Sequence, residues 1–277
     1  MSTFQALISS WASELSIYEK QEAESLVSWL LEHHLGWRRT QILDEADDSS
    51  FPQQLFGDFE RLKTGKPIQY IMGKGPFYGR DFFVSAATLI PRNETEELVH
   101  LIIKENPKAG LRILDIGTGT GCIPISLALE MNNPEVYALD ISEEALKIAI
   151  QNAEALGAKV AFSTCDILKQ TPDVSDLDIL VSNPPYIPER EKTDMHRNVL
   201  DFEPGLALFV SNEDPLIFYR TIAKKGKHLL KSGGKLYFEI NEKYGIQVAE
   251  LMNELGYTEV KVLRDLNGKE RMAFGRR

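Results

Sequence analysis

From about residue 95 onward, short apolar runs alternate with amphipathic runs at helical spacing, and this constrains the fold more than any other feature. The pattern predicts helices over 94–104, 122–131, 142–157, 215–230 and 243–255. Between them it predicts strands over 111–116, 135–140, 160–164, 177–182 and 235–240. Ser142 followed by Glu143 and Glu144 suits a helix N-terminus, where a hydroxyl caps a free N–H and negative charge is favourable. Repeated strand-then-helix units imply a mostly parallel sheet covered on both faces. The last two strands, 259–264 and 271–275, flank Asn267-Gly268, a hairpin signal.

The first 65 residues have a different texture. Phe4, Leu7, Ile8, Trp11 and Leu15 share one helical face, as do Ala23, Leu26, Val27, Leu30 and Leu31. Gly36 suits the stop of the second helix, and a third run carries Leu55, Phe59 and Leu62. Trp11, Trp29 and Phe59 read as helical core. Residues 68–90 are rich in Gly, aromatic and β-branched types and read as a hairpin linker. The expected domains are therefore a helical recognition domain at 1–67, a linker at 68–90 and a catalytic domain at 91–277.

Charge follows the same division. The chain of 277 residues carries a formal charge of −10, which argues against broad nucleic-acid backbone binding as its main activity. Residues 1–60 hold three basic and eleven acidic side chains, whereas 61–90 hold five basic and one acidic. No apolar run reaches the roughly 20 residues of a membrane span, and the first residues lack the pattern of a secretory signal. Cys122 and Cys165 are too few for a disulfide scaffold, and no histidine has metal-ligand spacing; His33 and His34 lie about 100° apart on a helix. A cytoplasmic enzyme without a metal is the expectation.

Two motifs carry chemistry. The first is Asp115-Ile116-Gly117-Thr118-Gly119-Thr120-Gly121, with Asp140 ending the next strand. Glycines after a first strand allow a sharp turn and close approach of a ligand to the backbone. An acidic side chain ending the second strand can accept hydrogen bonds from both ribose hydroxyls. These pieces bind a nucleoside without naming it; a dinucleotide or a ligand-free turn would use them too. Cys122 stands where the last glycine of a pyrophosphate fingerprint belongs, and Asp115 suits a cationic ligand such as S-adenosylmethionine.

The second motif is Asn183-Pro184-Pro185-Tyr186, following the strand 177–182. A planar amino group is a poor nucleophile because its lone pair is delocalised. The Asn183 side-chain oxygen and the Pro184 carbonyl could each accept one of its N–H bonds, directing the nitrogen lone pair at a methyl donor. The prolines stiffen the acceptors, and Tyr186 could stack on the planar group. A Pro-rich turn with no ligand is the plain alternative.

With these residues in hand, the chain resembles the release-factor glutamine N5-methyltransferases (PrmC/HemK family) over nearly its whole length. The resemblance rests on Ile90-Pro91-Arg92 with Thr95-Glu96, the Gly117–Gly121 loop, Asp140, Asn183–Tyr186, and Glu203-Pro204 with Ala207-Leu208. It extends to the helical head, Gly65–Tyr70 and Phe77-Tyr78-Gly79. The implied fold is a class I methyltransferase Rossmann-like α/β sheet ending in an antiparallel hairpin, preceded by a small helical domain.

The resemblance implies methyl transfer from S-adenosylmethionine to the glutamine of the Gly-Gly-Gln motif in class I peptide-chain release factors. It assigns Gly117, Thr118, Gly119, Thr120, Gly121, Asp140 and Asn183 to the methyl donor, with Ile167 against the adenine. Asn183, Pro184, Pro185 and Tyr186 would hold the glutamine amide, with Asn183, Pro184 and Tyr186 carrying the catalysis. A monomer is expected, and the charge of −10 argues against stable nucleic-acid binding. Three alternatives stay open: an adenine-N6 methyltransferase of DNA or RNA, a glutamine methyltransferase of a ribosomal protein, and a catalytically silent assembly factor. Arg92 could organise the site entrance.

Overall fold

The computed structural model describes residues 2–47 and 50–277, and the chain divides into two compact units. The larger comprises residues 75–195 and 203–277; the smaller comprises residues up to 74 together with 196–202. No helix among the described residues is long and apolar enough to cross a membrane.

The larger unit is built on a seven-stranded sheet: β1 (Arg112–Ile116), β2 (Glu135–Asp140), β3 (Ala161–Thr164), β4 (Leu177–Ser182), β5 (Leu230–Glu239), β6 (Thr258–Arg264) and β7 (Glu270–Arg276). The spatial order is β6-β7-β5-β4-β1-β2-β3. The strands from β5 through β3 run parallel, while β7 lies antiparallel between β5 and β6. The Asn267-Gly268 hairpin thus closes the sheet, with Gly268 at φ 80° and its N–H donating to the Asp265 carbonyl.

Central strands read as continuous apolar runs because both of their faces are covered. Side chains alternate between faces: Leu114, Leu180, Leu236 and Phe238 join one core, and Ile113, Ile179, Val181 and Tyr237 the other. The first core is closed by residues of Ile217–Leu229 and Gly245–Glu254, such as Tyr219, Ile222, Val248 and Met252. The second is closed by Leu98, Val99 and Ile102 of Asn93–Glu105 and by Ile123, Ile125 and Leu127 of Cys122–Glu130. The helix Glu143–Leu156 starts at Ser142, whose Oγ accepts from the Ala145 N–H at 3.1 Å, and stops at left-handed Gly157.

In the smaller unit, Phe4–Glu14, Lys20–Leu35 and Gln53–Lys63 are helical and bury Leu7, Val27, Leu30, Leu55 and Phe59 together. Trp11 stacks on Phe59 with ring centroids 4.4 Å apart, and both it and Trp29 pack on this core. Gly36 ends the second helix in the left-handed conformation. His34 is partly packed, its Nε2 3.0 Å from the buried Asp58 carboxylate.

One stretch departs from expectation. Residues 68–72, read as linker, form a helix whose Ile68 belongs to the helical core, so the hairpin begins only at Lys74. Composition misleads here because Gly65, Pro67 and Gly73 bracket a helix of a single turn, too short to show a period. The hairpin itself pairs Lys74–Phe77 with Arg80–Phe83. Tyr78 (φ 49°) and Gly79 (φ 73°) make its two-residue turn, a geometry matching the twist of the paired strands.

Candidate functional site

In a parallel sheet the strand ends that leave the β–α loops lie along one edge, and the chain order reverses between β1 and β4. Ile116 pairs with Ser182 across that reversal, so the glycine loop and the Asn183 tetrad leave the sheet side by side. A Cβ on Gly117 would stand 3.9 Å from the Asn183 carbonyl oxygen.

A cavity of about 440 Å³ opens there, within the range for small-molecule sites. Its wall includes Gly117, Thr118, Gly119, Thr120, Asp140, Ile167, Asn183, Pro184 and Pro185. Two expected site residues are off the wall. Gly121 (φ 79°) caps the helix Cys122–Glu130, and a Cβ there would meet Ile125 at 2.9 Å and Ala149 at 3.2 Å, which makes it a close-packing position. Tyr186 packs on the sheet core and its hydroxyl donates to Glu239 Oε1 at 3.3 Å.

The glycine loop is held by the strand beside it. The Leu139 carbonyl accepts from the N–H groups of Gly117 (2.8 Å) and Thr118 (2.9 Å). Asp140 Oδ2 accepts from the Gly119 N–H at 2.8 Å, and Oδ1 from the Ser142 N–H at 2.9 Å. Each oxygen keeps a further lone pair, so the carboxylate is oriented by the backbone while still able to accept two hydroxyls. Burial raises the Asp140 pKa, and the backbone hydrogen bonds oppose that rise.

Ile167 sits on the turn after β3, whose Asp166 Oδ1 accepts from the Leu168 N–H at 3.0 Å. The Lys225 ammonium donates to the Ile167 carbonyl and helps fix the turn that presents this side chain.

Beneath the loop, Asp115 is wholly buried, and neither carboxylate oxygen has a hydrogen-bond partner among the described residues. Burial pushes its pKa up to about 7; the adjacent Thr118 hydroxyl opposes the rise and the Asp140 charge adds a smaller contribution to it. The buried Thr118 hydroxyl beside it makes no hydrogen bond of ordinary length among the described residues. A glycine-lined cavity, a ribose-competent carboxylate and a buried carboxyl nearby fit a nucleoside bearing positive charge.

Three features of the site were not read from residue spacing. Arg92 lines the cavity and donates through Nη2 to Glu203 Oε1 at 2.6 Å; Glu203 Oε2 also accepts from the Ile90 N–H at 3.3 Å. This ties the segment before the helix Asn93–Glu105 to the Pro204–Ala207 wall. Glu239, at the end of β5, is 2% exposed and accepts from the Thr95 hydroxyl at 2.6 Å. Asn152 bridges the Thr120 carbonyl at 2.9 Å and the backbone of Phe83. The one signal available for Glu239 was a carboxylate closing the apolar run Leu236-Tyr237-Phe238, a placement that requires compensation.

Sequence comparison agrees with this geometry. Residues 107–255 match the family described as methyltransferase domain, and residues 6–73 match the PrmC N-terminal domain. A release factor glutamine methyltransferase of Bacteroides thetaiotaomicron is 53% identical over 218 residues, 78% of each chain. The chain belongs to the release factor glutamine methyltransferase family. Another member, from Flavobacterium psychrophilum, is 43% identical over 265 residues, 93% of each chain. Among solved structures, a methyltransferase from Pyrococcus furiosus superposes with a TM-score of 0.55 at 19% identity, covering 78% of this chain and 96% of that one. That likeness supports the fold. The family's two matched regions fall on the two parts of the chain, helical head and α/β body.

Proposed function

We propose that this chain transfers the methyl group of S-adenosylmethionine to the side-chain amide nitrogen of the glutamine in the Gly-Gly-Gln motif of class I peptide-chain release factors. The observation that carries the reading is the shared cavity, which the glycine loop and Asp140 line together with Asn183, Pro184 and Pro185. In this reading Asp140 takes the ribose, Gly117–Thr120 and Asn183 surround the donor, and Ile167 packs against the adenine.

The donor supplies an electrophilic methyl on a positively charged sulfur. The protein's task is to overcome the delocalised lone pair of the amide. Asn183 Oδ1 and the Pro184 carbonyl accept its two N–H bonds and hold the nitrogen on line with the methyl. As the new C–N bond forms, sulfur keeps the bonding electrons of the old one. The N-methylated amide is then strongly acidic and loses its proton without a dedicated base. The helical head and the basic stretch 61–90 serve to recognise the protein substrate. The chain acts as a cytoplasmic monomer.

The test is incubation with isotopically labelled S-adenosylmethionine and, separately, release factors, ribosomal proteins, DNA and RNA, with the label mapped by mass spectrometry. Label on the Gly-Gly-Gln glutamine is expected. Label on a ribosomal glutamine or on adenine, with none on release factors, would overturn the substrate and leave the cavity chemistry standing.

A further inference from the structure

Asn183 can serve a substrate amide only with its oxygen turned toward the cavity, and an amide side chain has two orientations of nearly the same shape. The structure contains a device that distinguishes them. Glu239 ends β5 beside the strand that leads into the tetrad, with Phe238 paired to Ser182. Its carboxylate lies inside the protein and accepts two hydrogen bonds, from Thr95 Oγ1 at 2.6 Å and from the Tyr186 hydroxyl at 3.3 Å. Thr95 is itself 3% exposed, in the first turn of the helix Asn93–Glu105.

Hydrogen-bond valence fixes the rest. Burial raises the Glu239 pKa, while the Thr95 hydrogen bond and the Arg271 charge favour its ionised form; ionised, the carboxylate only accepts, so Thr95 spends its single proton on Glu239. Its oxygen is then left with lone pairs alone, and the Asn183 side chain reaches that oxygen through Nδ2 at 3.3 Å. The flipped amide would set Oδ1 against another acceptor, two lone pairs facing each other in a partly buried place. The same carboxylate holds the other end of the tetrad. Tyr186 donates its hydroxyl to Oε1, and its backbone carbonyl accepts from Asn241 Nδ2 at 3.4 Å.

Resting on the reading above that Asn183 receives the substrate amide, we infer that Thr95 and Glu239 are positioning residues. The directional relay Asn183–Thr95–Glu239 sets the amide orientation and presents Oδ1 to the cavity. Thr95 lines the cavity and Glu239 does not, and both are assigned to act through Asn183. Their contribution is to remove the unproductive orientation of Asn183 before substrate arrives.

The experiment compares Thr95→Val, which keeps the branched shape and removes the hydroxyl, with Thr95→Ser, which keeps the hydroxyl. Two readouts are taken on the full chain. The first is exchange of the Asn183 side-chain amide protons by nitrogen-15 NMR, with the resonance identified by its loss in Asn183→Ala. Loss of one hydrogen bond should speed exchange by about fivefold or more in Thr95→Val, with Thr95→Ser close to wild type. The second is steady-state methylation. Thr95→Val should lower kcat on the order of tenfold with donor KM and melting temperature little changed, and Thr95→Ser should restore it.

Unchanged amide exchange in Thr95→Val overturns the inference. So does a loss of kcat that follows donor affinity or melting temperature and that Thr95→Ser does not rescue, since that describes a merely structural threonine. If wild-type protein fails to methylate release factors, the substrate reading falls, while the exchange measurement still decides the relay.

Discussion

Arg92, which lines the cavity, and Glu203, 111 positions away in the chain, meet through Nη2 and Oε1 at 2.6 Å. The Glu203 side chain is 1% exposed and that of Arg92 38%. The two partners are therefore not equivalent. Removing the arginine strands a buried carboxylate whose remaining partner is the Ile90 N–H, whereas removing the carboxylate leaves a guanidinium that water can reach. Arg92→Ala should destabilise the protein by about 2–3 kcal/mol, and Glu203→Gln by clearly less. Denaturant unfolding of the two variants checks the order; equal losses would contradict it.

Asn183 and Asp140 should separate the chemical step from donor binding. Asn183→Ala removes an oriented acceptor and should lower turnover on the order of 10², with donor affinity largely intact. Asp140→Ala removes two acceptor oxygens and also frees the Gly119 and Ser142 N–H groups. It should weaken donor binding on the order of tenfold or more. Calorimetry for affinity and single-turnover kinetics for chemistry distinguish the two; near-wild-type turnover of Asn183→Ala would defeat the mechanism.

The parts of this molecule legible in its sequence are those whose signal is local. The strand 177–182 and the helix from Ser142 to Gly157 announce themselves through β-branched runs and caps. The closing hairpin does so through Asn267-Gly268. The glycine loop and the tetrad are contiguous motifs, and the parallel topology brings them together without further information. What stayed hidden is made by distant pairs. Thr95 and Glu239 are 144 residues apart, and nothing at either position states that the other exists. The short parallel pairing of Ile187–Pro188 with Phe209–Val210 leaves no periodic trace either, because two residues are too few to show one. Gly121 illustrates a subtler loss: glycine requirements for close packing and for ligand approach look alike in a sequence.

That distinction can be measured on the glycines themselves. Gly117 (φ 78°) and Gly121 (φ 79°) both have a left-handed φ, so alanine carries strain at each, about 1–2 kcal/mol. At Gly121 the added Cβ also stands 2.9 Å from Ile125 Cδ1 and 3.2 Å from Ala149 Cβ, so its neighbours must shift; at Gly117 its nearest neighbour is 3.9 Å away, and the residue lines the cavity. Gly121→Ala should therefore lose roughly 2–4 kcal/mol of stability. Gly117→Ala should lose less, with the larger effect on donor affinity. Thermal unfolding and calorimetry on the same two variants test this, and a reversed pattern would place Gly121 on the ligand.

Asp115 gives the molecule a pH dependence of a definite sign. Its pKa stands at about 7 in the native state against an ordinary 3.8 in the unfolded chain. Between those values the native protein holds a proton that the unfolded chain has already released. The unfolded state thus binds fewer protons, and stability falls as pH rises from about 4 to 7, by up to about 1.4 kcal/mol per pH unit, then levels off. Asp115→Asn should flatten that slope, as measured by chemical denaturation across the range. A cationic donor nearby favours the ionised carboxylate, so binding near pH 7 should release protons. Calorimetric titration with S-adenosylmethionine in two buffers of different ionisation enthalpy should show that release in the wild type and a diminished release in Asp115→Asn. Proton uptake, or a release identical in the two proteins, would separate Asp115 from donor binding.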